Sequence, residues 1–363
     1  MSGSLAKMMR SDAGKGLTLV SPTLIYALLL LAAPLASIVL LSFWTQLATV
    51  AGQAQFDRTL QLSNYREALT DPLYRALMLR SLRISGMVML VTVVLAFPVA
   101  YFISFHVRPD RKSLWLFLIT IPFWTSYLIR VFLWRVILAY DGPVNSGLLA
   151  LGVIDEPLGW ILYNANSVVI TLAHAYAPFA ILPIFVALEK IDRSLLEAAR
   201  DLGESKAMTF LRVTLPLAMP GVLAAVLIVF IPTIGDYVTP QLVGGSGGTM
   251  IANNIHAQIF ALNDRPMGAT LAVLAMLIVA MVLLWGIARA RFWLWLMDRA
   301  GGGFAGIGLA LAVAVAEITV IRVAFSQGPA LIGAGASVIA LLLVATALSA
   351  FILWRLPKGR WGI

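Results

Sequence analysis

The sequence predicts an all-α, polytopic membrane protein with a six-span core and two extra C-terminal transmembrane helices. Three observations carry that reading. The 363 residues are 61% hydrophobic and only 12% charged, far from the roughly half apolar, about one-quarter charged balance of soluble domains. Several apolar runs reach the ~20 residues that a helix rising 1.5 Å per residue needs to cross a hydrocarbon core of about 30 Å, with no lone charge near their centres. The net charge of +9 is distributed along the chain as the loops of a multi-span protein would distribute it.

The spans are predicted, in order, at about 18–43, 84–106, 114–138, 167–188, 217–239, 268–290, 303–323 and 331–354. The first follows Lys7, Arg10 and Lys15. Its apolar run exceeds the roughly 7 to 15 residues of a signal-peptide core, so it is read as an uncleaved span behind a cytoplasmic tail, residues 1–17. With that tail inside, the inner segments carry Arg108, Arg111, Lys112, Lys190, Arg193, Arg200, Lys206, Arg212, Arg289, Arg291, Arg299, Arg355, Lys358 and Arg360. The outer segments hold Arg58, Arg66, Arg75, Arg80, Arg83 and Arg265, mostly in one long loop, where the charge rule is weaker. Both termini are therefore expected inside, and the positive surplus calls for no nucleic acid. Composition shifts around Gly301, Gly302 and Gly303. This divides a core at 18–292 from a Gly-rich linker at 293–302 and a two-helix extension at 303–363.

One polar segment, residues about 190–216, interrupts the apolar chain. Ser194 with Glu197 fits a capping box that would open a short helix, Gly203 ends it, Ser205 can cap a second short helix, and Pro216 stands where the next span begins. Ala198 and Ala199 leave the first helix with little bulk, while Glu197, Arg200 and Asp201 give it charged edges. Such a surface suits docking. The same residues also fit an amphipathic helix lying in the membrane interface.

The spacing adds a resemblance. Glu197-Ala198-Ala199, three residues, Gly203, nine residues, then Val213-Thr214-Leu215-Pro216 resembles the EAA loop of ABC importer permeases, with Val213 where that family usually has Ile. Leu62-Ser63-Asn64-Tyr65, Asp71-Pro72-Leu73-Tyr74, Pro122-Phe123-Trp124-Thr125, Leu128-Ile129-Arg130 and Leu151-Gly152-Val153-Ile154-Asp155 extend the likeness to the permease subunits of spermidine/putrescine importers, over roughly residues 18–292. The resemblance implies a six-span type I ABC importer permease core in a bacterial inner membrane. It implies that Glu197, Ala198, Ala199, Asp201, Gly203, Leu215 and Pro216 couple the chain to an ATPase dimer. It also implies a second permease subunit, with a heterodimer favoured, and a periplasmic solute-binding protein as further partners. Residues 301–363 depart from the family pattern.

The sequence carries no catalytic constellation. No G-x-x-x-x-G-K-[ST] loop occurs, so ATP and Mg are expected on the partner ATPase and no cofactor in this chain. There is no cysteine, and the three histidines are not paired at metal-ligand spacing, so no metal site is expected. Ionisable residues within spans cost about 2.5 to 3.5 kcal/mol each and call for an explanation. Arg130, Arg135, Asp236, Glu317 and Arg322 are the candidates. Arg130 and Arg135 fit pairing or snorkelling. Asp236, beside Tyr237, fits either structure or attraction of a polycation. Trp124 and Tyr127 share a face of the third span, and ammonium groups favour aromatic faces. These four residues, Trp124, Tyr127, Asp236 and Tyr237, make the candidate substrate pathway, although an aromatic belt would place them similarly. The Gly-rich stretch Gln241–Gly248 reads as an outer loop that orders only against a partner. The expected function is import of polyamines or a related small organic cation, driven by a separate ATPase. A proton-coupled carrier acting alone, with Asp236 or Glu317 as proton site, and a membrane scaffold are the alternatives.

Overall fold

The computed structural model describes residues 12–50 and 53–299. The N-terminal residues 1–11 and the extension read at 303–363 lie outside the described residues, as do Glu317 and Arg322. The chain divides into two units.

The first unit comprises the chain up to Ala68 together with Ile255–Leu274. It opens with α1 (Asp12–Ser42), followed by an antiparallel hairpin of β1 (Thr45–Val50) and β2 (Gln53–Asp57) and by α2 (Ser63–Thr70). A helix end leaves carbonyls without partners, and here the Ser42 carbonyl accepts from the buried Thr270 Oγ1 at 2.9 Å. Ser42 Oγ lies 2.6 Å from Tyr65 Oη, and Asn64 Nδ2 donates to the Trp44 carbonyl at 2.9 Å. The end of α1, the start of α2 and the early turns of the last helix are thus joined by side-chain hydrogen bonds.

The second unit comprises Leu69–Asn254 and the chain from Ala275 onward. It contains α3 (Pro72–Phe105), α4 (Pro109–Thr120), α5 (Tyr127–Ile137), α6 (Pro143–Ala150), α7 (Ala165–Glu189), α8 (Arg193–Asp201), α9 (Lys206–Thr209), α10 (Leu215–Ile234), α11 (Val238–Val243), α12 (Gly245–Gly248) and most of α14 (Arg265–Arg299). The short α13 (Ile251–His256) straddles the two units. Asp71 caps α3 by accepting from the Leu73 N–H at 2.7 Å, and Pro72 follows at the first turn. The core of this unit is the packing of α3, α7 and α10, with Ile84, Val88 and Ile103 against Leu172, Ile184 and Leu188 and against Ala225 and Val229. Small residues set the approach. A Cβ added at Gly221 would lie 2.5 Å from both Ala187 Cβ and the Pro183 carbonyl, so α7 and α10 meet backbone to backbone, as helices in membranes commonly do.

Among the described residues five helices are long and apolar enough to cross a membrane, and the pair Pro109–Trp124 and Tyr127–Ile137 makes a sixth if it is one broken span. The six-span core read from the sequence is thus present, with four corrections of detail. The third span is not straight: it bends by 87° after a 3-10 turn at Ile121–Trp124, where Thr125 and Ser126 are extended. The second span starts at Pro72 rather than 84, because Tyr74, Leu77, Met78 and Ser81 bury one face while Arg75 and Arg80 leave the hydropathy low. The fifth ends at Ile234 rather than 239, at the Gly235 cap. The stretch Gln241–Gly248 is not an open loop but part of two packed helical turns, because the surroundings suit only glycine. Gly245 has φ +54, a Cβ added to it would run into the Tyr163 carbonyl, and Cβ atoms at Gly244 and Gly248 would lie 3.0 and 3.1 Å from Val168 Cγ2. Ser167 Oγ donates to the Val243 carbonyl at 2.6 Å.

Candidate functional site

The polar segment forms a helix, a glycine turn and a second helix that runs into the membrane. The cap of α8 is Asp192, whose Oδ1 accepts from the Ser194 N–H at 3.0 Å. This replaces the Ser194–Glu197 box expected from the sequence. A carboxylate two residues before the first free N–H is the stronger acceptor, and Ser194 is already inside the helix. The Ser194 backbone N–H holds the Asp192 carboxyl below the usual aspartate value.

At the other end, Gly203 has φ +86, and the Gly203 and Glu204 N–H groups return to the carbonyls of Arg200 and Ala199 at 2.9 and 3.1 Å. A side chain at that φ would be strained, which is why glycine ends this helix. Ser205 Oγ then caps α9 by accepting from the Met208 N–H at 3.3 Å, and Arg212 pairs with Glu204. A wide π turn, Phe210–Thr214, joins α9 to α10. It falls where Pro216 lacks the N–H that would bond the carbonyl four residues back. Lys206–Ile234 is therefore one membrane-length helical segment.

Of the residues expected to couple, Glu197, Ala198, Asp201 and Gly203 are exposed, Ala199, Leu215 and Pro216 are half-buried, and Leu196 is the buried anchor of α8. Leu195 and Leu202 add apolar surface, Leu202 at 85% exposure. The result is a projecting patch of Leu195, Ala198 and Leu202 flanked by Glu197, Arg200 and Asp201. An apolar centre with a charged rim is the composition of a docking face.

The candidate pathway residues are brought together in part. Tyr127, first residue of α5, donates its hydroxyl to Asp236 Oδ2 at 2.5 Å and lies 2.6 Å from Thr239 Oγ1. Asp236 Oδ1 accepts from the N–H groups of Val238 and Thr239 at 2.9 and 3.3 Å. The aspartate thus caps α11 across the Gly235 break while one oxygen faces a phenol. Trp124 does not join this group and is 79% exposed on the 3-10 turn before the bend. Tyr237 is at the surface, and its carbonyl accepts from Asn253 Nδ2 at 2.7 Å. Thr239, which the sequence alone did not single out, completes the triad with Tyr127 and Asp236. Its position three residues after Asp236 is the signature of an aspartate cap and was the available signal. Arg130 is buried, its guanidinium 6.0 Å from the centre of the Phe123 ring. Arg135 lies over the Tyr163 ring. Among the described residues no group of His, Asp and Glu is arranged to hold a metal.

Residues 87–290 match the family described as binding-protein-dependent transport system inner membrane component. That stretch contains both the polar segment and the Tyr127–Asp236 pair. The chain is 39% identical over 223 residues, 61% of its own length and 80% of the relative's, to the spermidine/putrescine transport system permease protein PotB of Escherichia coli (strain K12). In fold it is similar to a bacterial ABC transporter involved in the import of the acidic polysaccharide alginate. There the TM-score is 0.59 at 16% identity, over 79% of this chain and 98% of that one. It is similar also to a bacterial alginate ABC transporter in complex with an alginate pentasaccharide-bound periplasmic protein. There the TM-score is 0.56 at 15% identity, over 74% and 90% of the two chains. With six apolar spans and a capped, projecting helix between the fourth and fifth, this chain belongs to the family of inner membrane permease components of binding-protein-dependent transport systems.

Proposed function

We propose that this chain is one permease subunit of an ATP-driven importer that moves polyamines, spermidine or putrescine, or a related small organic cation into the cytoplasm. The observation that carries the reading is the likeness to a spermidine/putrescine permease over four-fifths of that relative's length. The exposed helix–Gly203–helix segment supports it, since its surface and caps suit a coupling element. The chain would form half of a pore with a second, different permease, and ATP and Mg would be bound by a dimer of ATPase subunits. A periplasmic binding protein would deliver the cargo. The distribution of Lys and Arg supports a topology with both termini in the cytoplasm, and the composition shift around Gly301, Gly302 and Gly303 supports a permease core at 18–292 and an added membrane extension at 303–363.

In this mechanism closure of the ATPase dimer moves the face built by Glu197, Ala198, Ala199, Asp201 and Gly203, and α10, entered through Leu215 and Pro216, follows. Substrate passes from the binding protein along a route bordered by Trp124, Tyr127, Asp236 and Tyr237. Aromatic faces and one carboxylate give an ammonium chain weak, successive contacts, which favours passage over retention. The test is ATP hydrolysis by the assembled complex in lipid nanodiscs, with the binding protein loaded in turn with spermidine, putrescine and sulfate. Stimulation by a polyamine and not by sulfate supports the reading. Stimulation by sulfate, or by none of the three, overturns the cargo assignment.

A further inference from the structure

One carboxylate gathers the ends of four helices. Glu189 closes α7, and its Oε1 accepts from Ser104 Oγ at 2.6 Å and from Lys112 Nζ at 2.7 Å, with Arg193 Nη2 at 3.6 Å. Ser104 lies in the last turn of α3, Lys112 in the first turn of α4, and Arg193 opens α8. The Ser104 carbonyl in turn accepts from Lys112 Nζ at 2.9 Å and from Arg193 Nη2 at 2.8 Å. The Arg193 guanidinium lies 3.9 Å from the centre of the Phe105 ring. The charge pattern has a plain cause. Both α3 and α7 end here, each leaving unsatisfied carbonyls and the negative end of its dipole, and the Glu189 carboxylate adds a full charge. Two cations offset that charge. An exposed ion pair contributes little, but this one is built on a buried serine, 2% exposed, and each acceptor is shared by donors from different helices.

The placement matters because α8 is fastened unequally. On the α7 side only Lys190, Ile191 and Asp192 separate it from Glu189, and the clamp bridges that gap. On the α10 side it is followed by Gly203 in the left-handed region. We propose that Glu189 is a positioning residue that locks the coupling helix α8 to the adjoining ends of α3, α4 and α7. These elements then move as one body, and the freedom in the segment is left to Gly203. This deepens the importer reading and rests on it for the source of the motion, while the clamp itself can be measured without any ATPase.

The chain has no cysteine, so two introduced cysteines, Leu114→Cys on α4 and Leu202→Cys at the end of α8, take spin labels uniquely. With the full chain in nanodiscs, the inter-label distance distribution is expected to be narrow in the parent, at least twofold broader with Glu189→Gln, and narrow again with Glu189→Asp. In the assembled transporter, the ratio of binding-protein-stimulated to basal ATP hydrolysis should fall about five- to tenfold with Glu189→Gln and recover with Glu189→Asp, as expected for losing charge-assisted hydrogen bonds. A purely structural residue would lower the amount of complex without changing that ratio. Arg193→Lys, which keeps the charge and loses the stacking on Phe105, is the second variant and should broaden the distribution partly. Parent-like width and ratio in both Glu189→Gln and Arg193→Lys overturn the proposal. A broadened distribution in a chain whose parent complex ignores polyamines would sink the cargo assignment and leave the clamp standing.

Discussion

The Tyr127 hydroxyl of α5 donates to Asp236 Oδ2 at 2.5 Å, linking residues 109 positions apart across the break between α10 and α11. The carboxylate is held by the phenol on one oxygen and by the Val238 and Thr239 N–H groups on the other. Asp236→Asn keeps an acceptor for those N–H groups while removing the charge. Polyamine uptake is expected to drop about tenfold with the amount of assembled complex unchanged, measured as radiolabelled spermidine entering cells beside quantified membrane protein. Unchanged uptake would reduce Asp236 to a helix cap.

Gly203 stands at φ +86. Gly203→Leu forces a branched side chain into the left-handed region at a cost of about 1 to 2 kcal/mol, and it puts bulk on the docking face. Uptake should be lost while the spans stay folded, read as transport against the helical circular dichroism signal. Normal uptake by this variant would count against a coupling role for the turn.

At Gly221 even one added methyl is too many, with Ala187 Cβ and the Pro183 carbonyl 2.5 Å from the position it would take. Gly221→Ala should separate α7 from α10 and cost about 1 to 3 kcal/mol. The lowered thermal midpoint in detergent is the readout. Gly86, whose added Cβ would have nothing within 4 Å, is the control and should tolerate alanine.

The Asp192 cap sets a pH limit on α8. Its carboxyl is held below the usual value by the Ser194 N–H, so the folded form binds its proton less readily than the unfolded chain. The stabilisation is complete above the unfolded aspartate value, about 3.9, and disappears as pH falls through the lower folded value. Hydrogen exchange of the α8 amides should therefore be flat at neutral pH and rise only in that acidic window. Asp192→Asn should remove the dependence, whereas Asp192→Ala should fray the helix at all pH values.

The spans of the core, the glycine turn and the Ser205 cap were legible in the sequence because each depends on neighbours a few residues away: apolar runs, a left-handed position, a hydroxyl before a short helix. The 87° bend after Trp124 was not, since an apolar run reads the same whether straight or broken and only the extended Thr125 and Ser126 reveal it. The order of Gln241–Gly248 was hidden for a related reason. Glycines signal freedom locally, while here Tyr163, Asn164 and Val168 fill the space that side chains would have taken. The candidate pathway shows both cases: the Tyr127–Asp236 contact joins residues whose apolar surroundings marked them singly, and Trp124 lies apart because the bend re-aims its turn.

The unbroken segment Lys206–Ile234 is a lever. Its 29 residues give an arm of roughly 43 Å at 1.5 Å per residue, with the Gly203 turn near one end and the Asp236 cap just past the other. A swing of about 10° on that arm carries the far tip through about 7 to 8 Å, more than the width of a polyamine's methylene chain. In the proposed mechanism a small tug at the Gly203 end would be magnified, by length alone, into a displacement of that size at the end beside Asp236 and Tyr127.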